Sequence, residues 1–173
     1  MSHEQTLNHL RARFGTDVVA VSEFRDNVRV QVPADRAYEV LEFLKTECGF
    51  DYLAELTAAD YRDYRGARDR YGVVYGLVST ETGQRLIVKI MLNDPQPRLP
   101  SVVPLWKGAD WLEREVYDLF GIRFDGHPDL RRLLMPEEFT AYPLRKDYPL
   151  RGRGERHNFP VIDREERVLA PRQ

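Results

Sequence analysis

Two kinds of apolar spacing alternate along the first two-thirds of this chain. Leu7 to Phe14, closed by Gly15, has the spacing of a short amphipathic helix. Val18–Phe24 and Asn27–Val32 read as strands, the second with Val28, Val30 and Val32 on one face. Asp26-Asn27 between them is turn chemistry. After Pro33 the period lengthens again over Ala34–Cys48. Ala37, Leu41, Leu44 and Cys48 fall at i, i+4, i+7 and i+11, which places them on one helix face, and Gly49 stands where such a helix ends.

Three further runs, Asp51–Thr57, Tyr71–Ser79 and Arg85–Asn93, return to period two. In the second, Tyr71, Val73, Tyr75 and Leu77 alternate with Gly72, Val74, Gly76 and Val78. Both faces are apolar or bare, which predicts a central strand covered on at least one side. Leu86, Val88, Ile90 and Leu92 form a cleaner alternation, and the short Glu81–Gln84 link suits an antiparallel hairpin. A charged loop fills Arg62–Arg70. Prolines punctuate Asp94 to Pro104, which excludes a central strand or helix interior there. Asp110–Phe120 then reads as a helix closed by Gly121, its apolar face carrying Ala109, Leu112, Val116, Leu119 and Phe120. Asp110 and Glu113 have the spacing of a capping box.

Beyond Ile122 the pattern stops. Six of the eleven prolines lie in residues 123–173, and no helical period lasts beyond about one turn. Such a segment buries little surface by itself and is expected to lie extended across something else. The fold class that follows is α+β. Residues 1–122 form a two-layer domain with a mixed sheet and two main helices, and residues 123–173 form an extended proline-rich C-terminal arm.

Composition narrows the function. A 42% hydrophobic chain of 173 residues can build one core. A net charge of −2 argues against a dedicated nucleic-acid binder, although it is split between an acidic domain and an arm with eleven basic and nine acidic residues. The arm's Arg151–Arg156 run, near Tyr148 and Phe159, could suggest RNA, but Asp147, Glu155, Asp163, Glu165 and Glu166 dilute the field. The single cysteine, Cys48, excludes an intrachain disulfide, a CxxC motif and a four-cysteine cluster from this chain alone, and fits a reducing compartment. No apolar run suits a signal peptide or a membrane span. Arginine exceeds lysine 22 to 4, from genome composition or from many contacts to carboxylates; the count does not choose.

The densest polar constellation runs from Glu113 to Asp118, followed by His127. Glu113 and Glu115, two apart on a helix, diverge by about 200° and cannot share a substrate atom. Glu115, Asp118 and His127 could in principle meet as a metal site, although HExxH spacing is absent and a solvated helix face accounts for the same residues. Arg114 and Asp118, four apart, suit an intrahelical ion pair. For His127, in Asp125-Gly126-His127-Pro128-Asp129, a loop histidine bonded to backbone is the favoured reading. Neither a Walker A sequence nor GxGxxG occurs.

Read as one string, Trp111-Leu112-Glu113-Arg114-Glu115-Val116-Tyr117-Asp118-Leu119-Phe120-Gly121-Ile122 with Gly126-His127-Pro128-Asp129-Leu130-Arg131-Arg132-Leu133-Leu134 closely resembles a family signature. The family is the C-type subunit of proton-translocating NADH:quinone oxidoreductase, respiratory complex I. Pro143-Leu144-Arg145-Lys146-Asp147-Tyr148-Pro149 resembles the family's second marker, and the likeness spans roughly Phe50 to Leu150. Phe139-Thr140-Ala141-Tyr142 departs from it, standing where relatives often carry a Trp and a Gly. The chain length sets the expectation of the form not fused to its quinone-site neighbour, the D-type subunit.

The resemblance implies a non-catalytic structural and assembly subunit of the peripheral arm. The complex carries electrons from NADH to quinone and couples this to proton translocation. FMN, the iron–sulfur clusters, NADH and quinone would sit on other subunits, with no cofactor, metal or active site in this chain. The implied partners are the D-type subunit and other peripheral-arm subunits, at the cytoplasmic side of the cell membrane, without a span and without nucleic acid; the arm would wrap them. Glu113, Arg114, Glu115, His127, Arg131, Arg132, Arg145, Lys146 and Tyr148 are the implied partner-interface residues. Two alternatives stand beside this: the equivalent subunit of a membrane-bound hydrogenase or other quinone or ferredoxin oxidoreductase, and a stand-alone metal-dependent enzyme using Glu115, Asp118 and His127.

Overall fold

The computed structural model describes residues 2–15, 20–25 and 27–154. The expected strand start at Val18-Val19, the turn residue Asp26 and the tail from Glu155 lie outside the described residues. Helix α1 (His3–Phe14) begins four residues before the sequence pattern sets in, because Ser2 and Gln5 close a capping box. The Ser2 hydroxyl accepts from the Gln5 N–H at 3.2 Å, and the Gln5 side chain accepts from the Ser2 N–H at 2.7 Å. Strands β1 (Ala20–Phe24) and β2 (Asn27–Val32) pair antiparallel. The helix expected over Ala34–Cys48 is shorter: a 3-10 turn at Ala34–Arg36 precedes α2 (Ala37–Thr46). Its face is as expected, with Ala37, Val40, Leu41 and Leu44 buried and Cys48 buried just beyond it.

Strands β3 (Tyr52–Asp60), β4 (Tyr71–Val78) and β5 (Arg85–Leu92) complete a sheet of order β1-β2-β5-β4-β3. The β2–β5 pairing is parallel and the others antiparallel, so the sheet is mixed. The central placement of β4 follows from its two faces. Tyr71, Val73, Tyr75 and Leu77 are fully buried in the core shared with the helices. On the other face Gly72 is bare for a steric reason: a Cβ there would meet the Lys89 and Tyr61 side chains at 2.8 Å. Those two side chains cover it, with the Lys89 ammonium 4.2 Å from the Tyr61 ring centre.

α1 meets α2 edge-to-face through Phe14 and Phe43, ring centres 5.5 Å apart. Helix α3 (Ala109–Phe120) packs against β3 and ends at Gly121, in the left-handed region at φ 73°. The proline-rich connector holds a short strand, β6 (Arg98–Pro100), which pairs in parallel with β7 (Arg123–Asp125) as a separate two-stranded sheet. Prolines are tolerated there because this is a sheet made only of edges. The expected capping box at the start of α3 does not form. The helix begins after Gly108 with no side-chain cap, and Glu113 is turned into the core.

Candidate functional site

Ala109, Glu113, Val116 and Phe120 stand at i, i+4, i+7 and i+11 and are all buried, so a carboxylate sits in the apolar stripe of α3. Arg114 and Asp118 are buried as well, on a side that an isolated amphipathic helix would leave wet. What covers them is the chain after β7, which returns over α3. The helix is enclosed from two directions.

Asp118 organises that return. Its Oδ2 accepts the backbone N–H groups of Leu133, Leu134 and Met135 at 3.0, 2.6 and 2.8 Å, and its Oδ1 accepts from Arg132 at 2.7 Å. Burial raises its pKa, but these hydrogen bonds outweigh burial and hold it below the ordinary carboxylate value. Arg132 also donates to the Ala141 carbonyl at 3.1 Å. Arg114 does not pair with Asp118. It donates to the carbonyls of Arg131 and Arg132, both at 3.2 Å, and its guanidinium lies 5.1 Å from the Trp111 ring centre. The intrahelical pair fails because each partner finds better geometry in the covering segment.

Asp60, at the end of β3, is the second anchor. It accepts from the Arg62 and Lys146 N–H groups, both at 2.9 Å, and pairs with Arg70 at 3.1 Å. Burial raises its pKa, and Arg70 together with the two backbone donors brings it below the ordinary value. Arg70 also pairs with Asp94 and, at 2.9 Å, with Asp147. Leu144 N–H donates to the Leu119 carbonyl at 3.1 Å, and the Arg145 guanidinium donates to the Phe120 carbonyl. Residues 130–148 are thus tied to the domain by carboxylates and by the open carbonyl end of α3.

Glu113 is satisfied on one oxygen only. Its Oε1 accepts the Val102 N–H at 2.6 Å and so holds the Val102–Trp106 turn, while its Oε2 has no hydrogen-bond partner. Burial pushes its pKa up from 4.5 to about 7. The nearby Tyr75 hydroxyl is also buried without a partner, and burial raises its pKa. His127 behaves as the loop histidine expected from sequence. Its Nδ1 accepts the Asp129 N–H at 3.0 Å, so the ring proton is on Nε2, which faces the Asp110 carbonyl at 3.1 Å and its carboxylate at 3.3 Å. Glu113 Oε2 lies 4.0 Å away.

The interface residues expected from sequence therefore divide. The side chains of Glu113, Arg114, His127, Arg132 and Arg145 are engaged within the chain. Glu115 is exposed, and Arg131 is exposed with its partner Asp129. Lys146 is also exposed and contributes its backbone N–H to Asp60. Tyr148 is half-buried against Phe139, ring centres 5.6 Å apart. The metal trio Glu115, Asp118 and His127 is not brought together: Asp118 is held by Arg132 and residues 133–135, His127 by Asp110 and Asp129, and Glu115 is exposed. Among the described residues no group of three His, Cys, Asp or Glu is placed to hold a metal. Sequence reasoning misses Asp60 and Arg70. Apart from the Arg62 N–H, their partners lie 10 to 86 residues away, and the only local signal is a charged residue closing an apolar strand.

A family model described as the 30 kd subunit of respiratory-chain NADH dehydrogenase matches residues 30–154. A C-type subunit of NADH-quinone oxidoreductase from Trichlorobacter lovleyi is 43% identical over 150 residues, covering 87% of this chain and 91% of that one. Subunit 5 of the enzyme of the same name from Thermus thermophilus is 45% identical over 151 residues, covering 84% and 70%. Among solved structures, a trypsin-resistant fragment of Nqo5 superposes with a TM-score of 0.68 at 39% identity, covering 75% of this chain and all of the fragment. A chain of the membrane-bound sulfane sulfur reductase, an archaeal respiratory membrane complex, superposes at 0.73 over 93% of both chains. At 24% identity that likeness is one of fold.

Proposed function

This chain belongs to the 30 kd subunit family of respiratory-chain NADH dehydrogenase, and from that premise we propose that it is a structural and assembly subunit with no active site of its own. The observation that carries this reading is the use made of its buried carboxylates. Asp118 and Asp60 spend their oxygens on backbone N–H groups and arginines of the same chain. Carboxylates so engaged fix the shape of a surface and are not free to act as a general base. The parent complex would carry FMN, iron–sulfur clusters, NADH and quinone on other subunits. Electron transfer from NADH to quinone, coupled to proton translocation, would run through those.

In this reading the chain docks on its quinone-site neighbour, the D-type subunit, and on other peripheral-arm subunits at the cytoplasmic face of the membrane. No helix among the described residues is long and apolar enough to cross a membrane, so attachment would be through other subunits. Residues 1–122 would form the docking domain; of the proposed arm, residues 123–148 fold back on that domain, and residues 155–173 lie outside the described residues. Glu115, Arg131 and Lys146 are the exposed members of the interface set. A second reading, that the chain serves a related ion-translocating complex, draws on the shared fold of the sulfane sulfur reductase chain.

The test is affinity purification of the tagged chain from native membranes, with identification of co-purifying subunits and cofactors. Recovery of flavin- and cluster-bearing subunits with NADH:quinone activity is expected. Recovery of hydrogenase-type subunits would favour the second reading, and recovery of the chain alone would sink both. Truncation after Met135 keeps every donor to Asp118 but removes the Lys146 and Arg145 contacts. It should leave a folded domain that joins the complex poorly; full incorporation would refute the arm as a clamp.

A further inference from the structure

The two-stranded sheet of β6 and β7 has unlike faces. Its middle residues, Leu99 and Phe124, are buried, so their neighbours on each strand turn outward. The register sets Arg98 beside Arg123 and Pro100 beside Asp125. Two guanidiniums therefore stand side by side on the outer face, an arrangement that costs stability because like charges opposite each other repel. Asp125 answers in part, 3.7 Å from Arg98 with both side chains about half exposed. Among the described residues no ion pair joins Arg123.

A third guanidinium closes the site. Arg145 is held by the Phe120 carbonyl and by stacking 4.6 Å from the Tyr142 ring centre. The three arginines, Asp125 and the walls Pro95, Pro97 and Tyr142 line an open cavity of about 520 Å³. Three cations against one carboxylate leave it with a charge of +2, next to apolar surface.

We propose that this cavity receives an acidic segment of a partner subunit. One Asp or Glu carboxylate is forked by Arg98 and Arg123, and the residue beside it rests on Pro95, Pro97 and Tyr142. Paired guanidiniums match the planar geometry of a carboxylate. The cavity is several times larger than one small oxyanion needs. Asp125, on the same face as the arginines, repels a doubly charged phosphate but accepts a peptide N–H. The inference rests on the assembly role proposed above and names a surface for it.

The experiment uses the tagged chain in its native complex. Arg98→Glu with Arg123→Glu should lower retention of the complex by about tenfold or more at physiological salt, the scale of interfacial charge pairs lost. The thermal midpoint of the free chain should move little, since one exposed like-charge pair replaces another and the Arg98–Asp125 pair lost with it is half exposed. If it does fall, Arg98→Gln with Arg123→Gln repeats the test without adding like charges. A photo-crosslinking residue at Gln96, which also lines the cavity, should capture a peptide of another subunit with Asp or Glu close to the linked position. Unchanged retention of the double variant overturns the proposal. Crosslinks to lipid, to a peptide without acidic residues, or to nothing overturn it as well. Failure of the wild-type chain to recover any complex would instead be failure of the assembly reading, which takes this proposal with it.

Discussion

The two sides of α3 bury carboxylates in opposite electrostatic states. On one side Asp118 collects three backbone N–H groups and the Arg132 guanidinium, and its pKa falls. On the other side Glu113 collects one N–H, leaves an oxygen unpartnered, and its pKa rises to about 7. Both are fully shielded from solvent. Burial alone therefore does not set the charge of a buried acid; the number of donors it meets does. The Asp118 side is a permanent clamp on residues 132–135. On the Glu113 side burial opposes ionisation up to near neutral pH, although the Val102 N–H favours the charged form.

The largest effect should come from removing the clamp. Asp118→Ala would leave Arg132 beside an empty socket and three N–H groups unanswered, a loss of about 3–5 kcal/mol in unfolding free energy. Asp118→Asn keeps the shape but offers one acceptor oxygen, and should fall between. Denaturant unfolding at pH 7 checks both. Because the folded pKa of Asp118 is depressed, its contribution is present above the ordinary carboxylate value and lost as pH falls through the folded one, on the acid side. An Asp118→Ala chain should therefore lose less stability on acidification than the parent chain.

Glu113 should bend the pH profile the other way. Between pH 4.5 and about 7 the unfolded chain releases this proton while the folded chain keeps it, so stability falls as pH rises through that window. The fall amounts to about 3 kcal/mol at ~1.4 kcal/mol for each pH unit of difference. Glu113→Gln keeps an acceptor for the Val102 N–H and carries no proton equilibrium. It should flatten the profile there and leave the variant more stable than the parent at pH 8. An unchanged slope would show that Glu113 is not the titrating group.

The stop of α3 offers a smaller test of how tightly the covering segment is seated. Gly121 sits at φ 73°, and a Cβ there would meet Tyr142 at 2.5 Å and Arg145 at 2.6 Å. Gly121→Ala should cost about 1–3 kcal/mol from backbone strain and displacement of these side chains. Thermal unfolding measures it, and Gly83→Ala is a control, with a similar φ but open space around it. A larger loss at Gly121 isolates the contact with Tyr142 and Arg145 from the strain alone.

The sheet and all three helices were legible because their signal is local, although α1 starts earlier and α2 is shorter than the pattern suggests. The alternation in β4 and β5 and the i, i+4, i+7 face of α2 needed only neighbouring residues to be read. The site was less legible because its pairs are distant. Ser2 and Gln5 make the cap that Asp110 and Glu113 resemble in spacing, and the difference lies in what covers each: Glu113 meets Val102 and the core, which no helical wheel records. Arg114 and Asp118 fit an i, i+4 pair by spacing, yet both are claimed by residues 131–135. Which charges of α3 turn inward was decided by the tertiary path of the chain: residues 131–135 draw in Arg114 and Asp118, and Val102 meets Glu113.

The smallest effect on folding sharpens the contrast most. Arg131 belongs to the segment that Asp118 clamps, yet its own side chain pairs with Asp129 in the open, 2.9 Å apart with both groups more than half exposed. It is the Arg131 carbonyl, not its guanidinium, that Arg114 holds. Arg131→Ala keeps that carbonyl and removes an exposed ion pair, worth about 0–1 kcal/mol. Its unfolding curve should therefore lie close to that of the parent chain, while Arg132→Ala, one residue on, strips the Asp118 carboxylate and should cost several times more. Retention of the complex in affinity purification then separates folding from docking. If Arg131 faces a partner, Arg131→Ala lowers retention with no change in the unfolding midpoint. If retention also stays level, the exposed side of the clamp is solvent, and partner contacts must be sought on another surface of the chain.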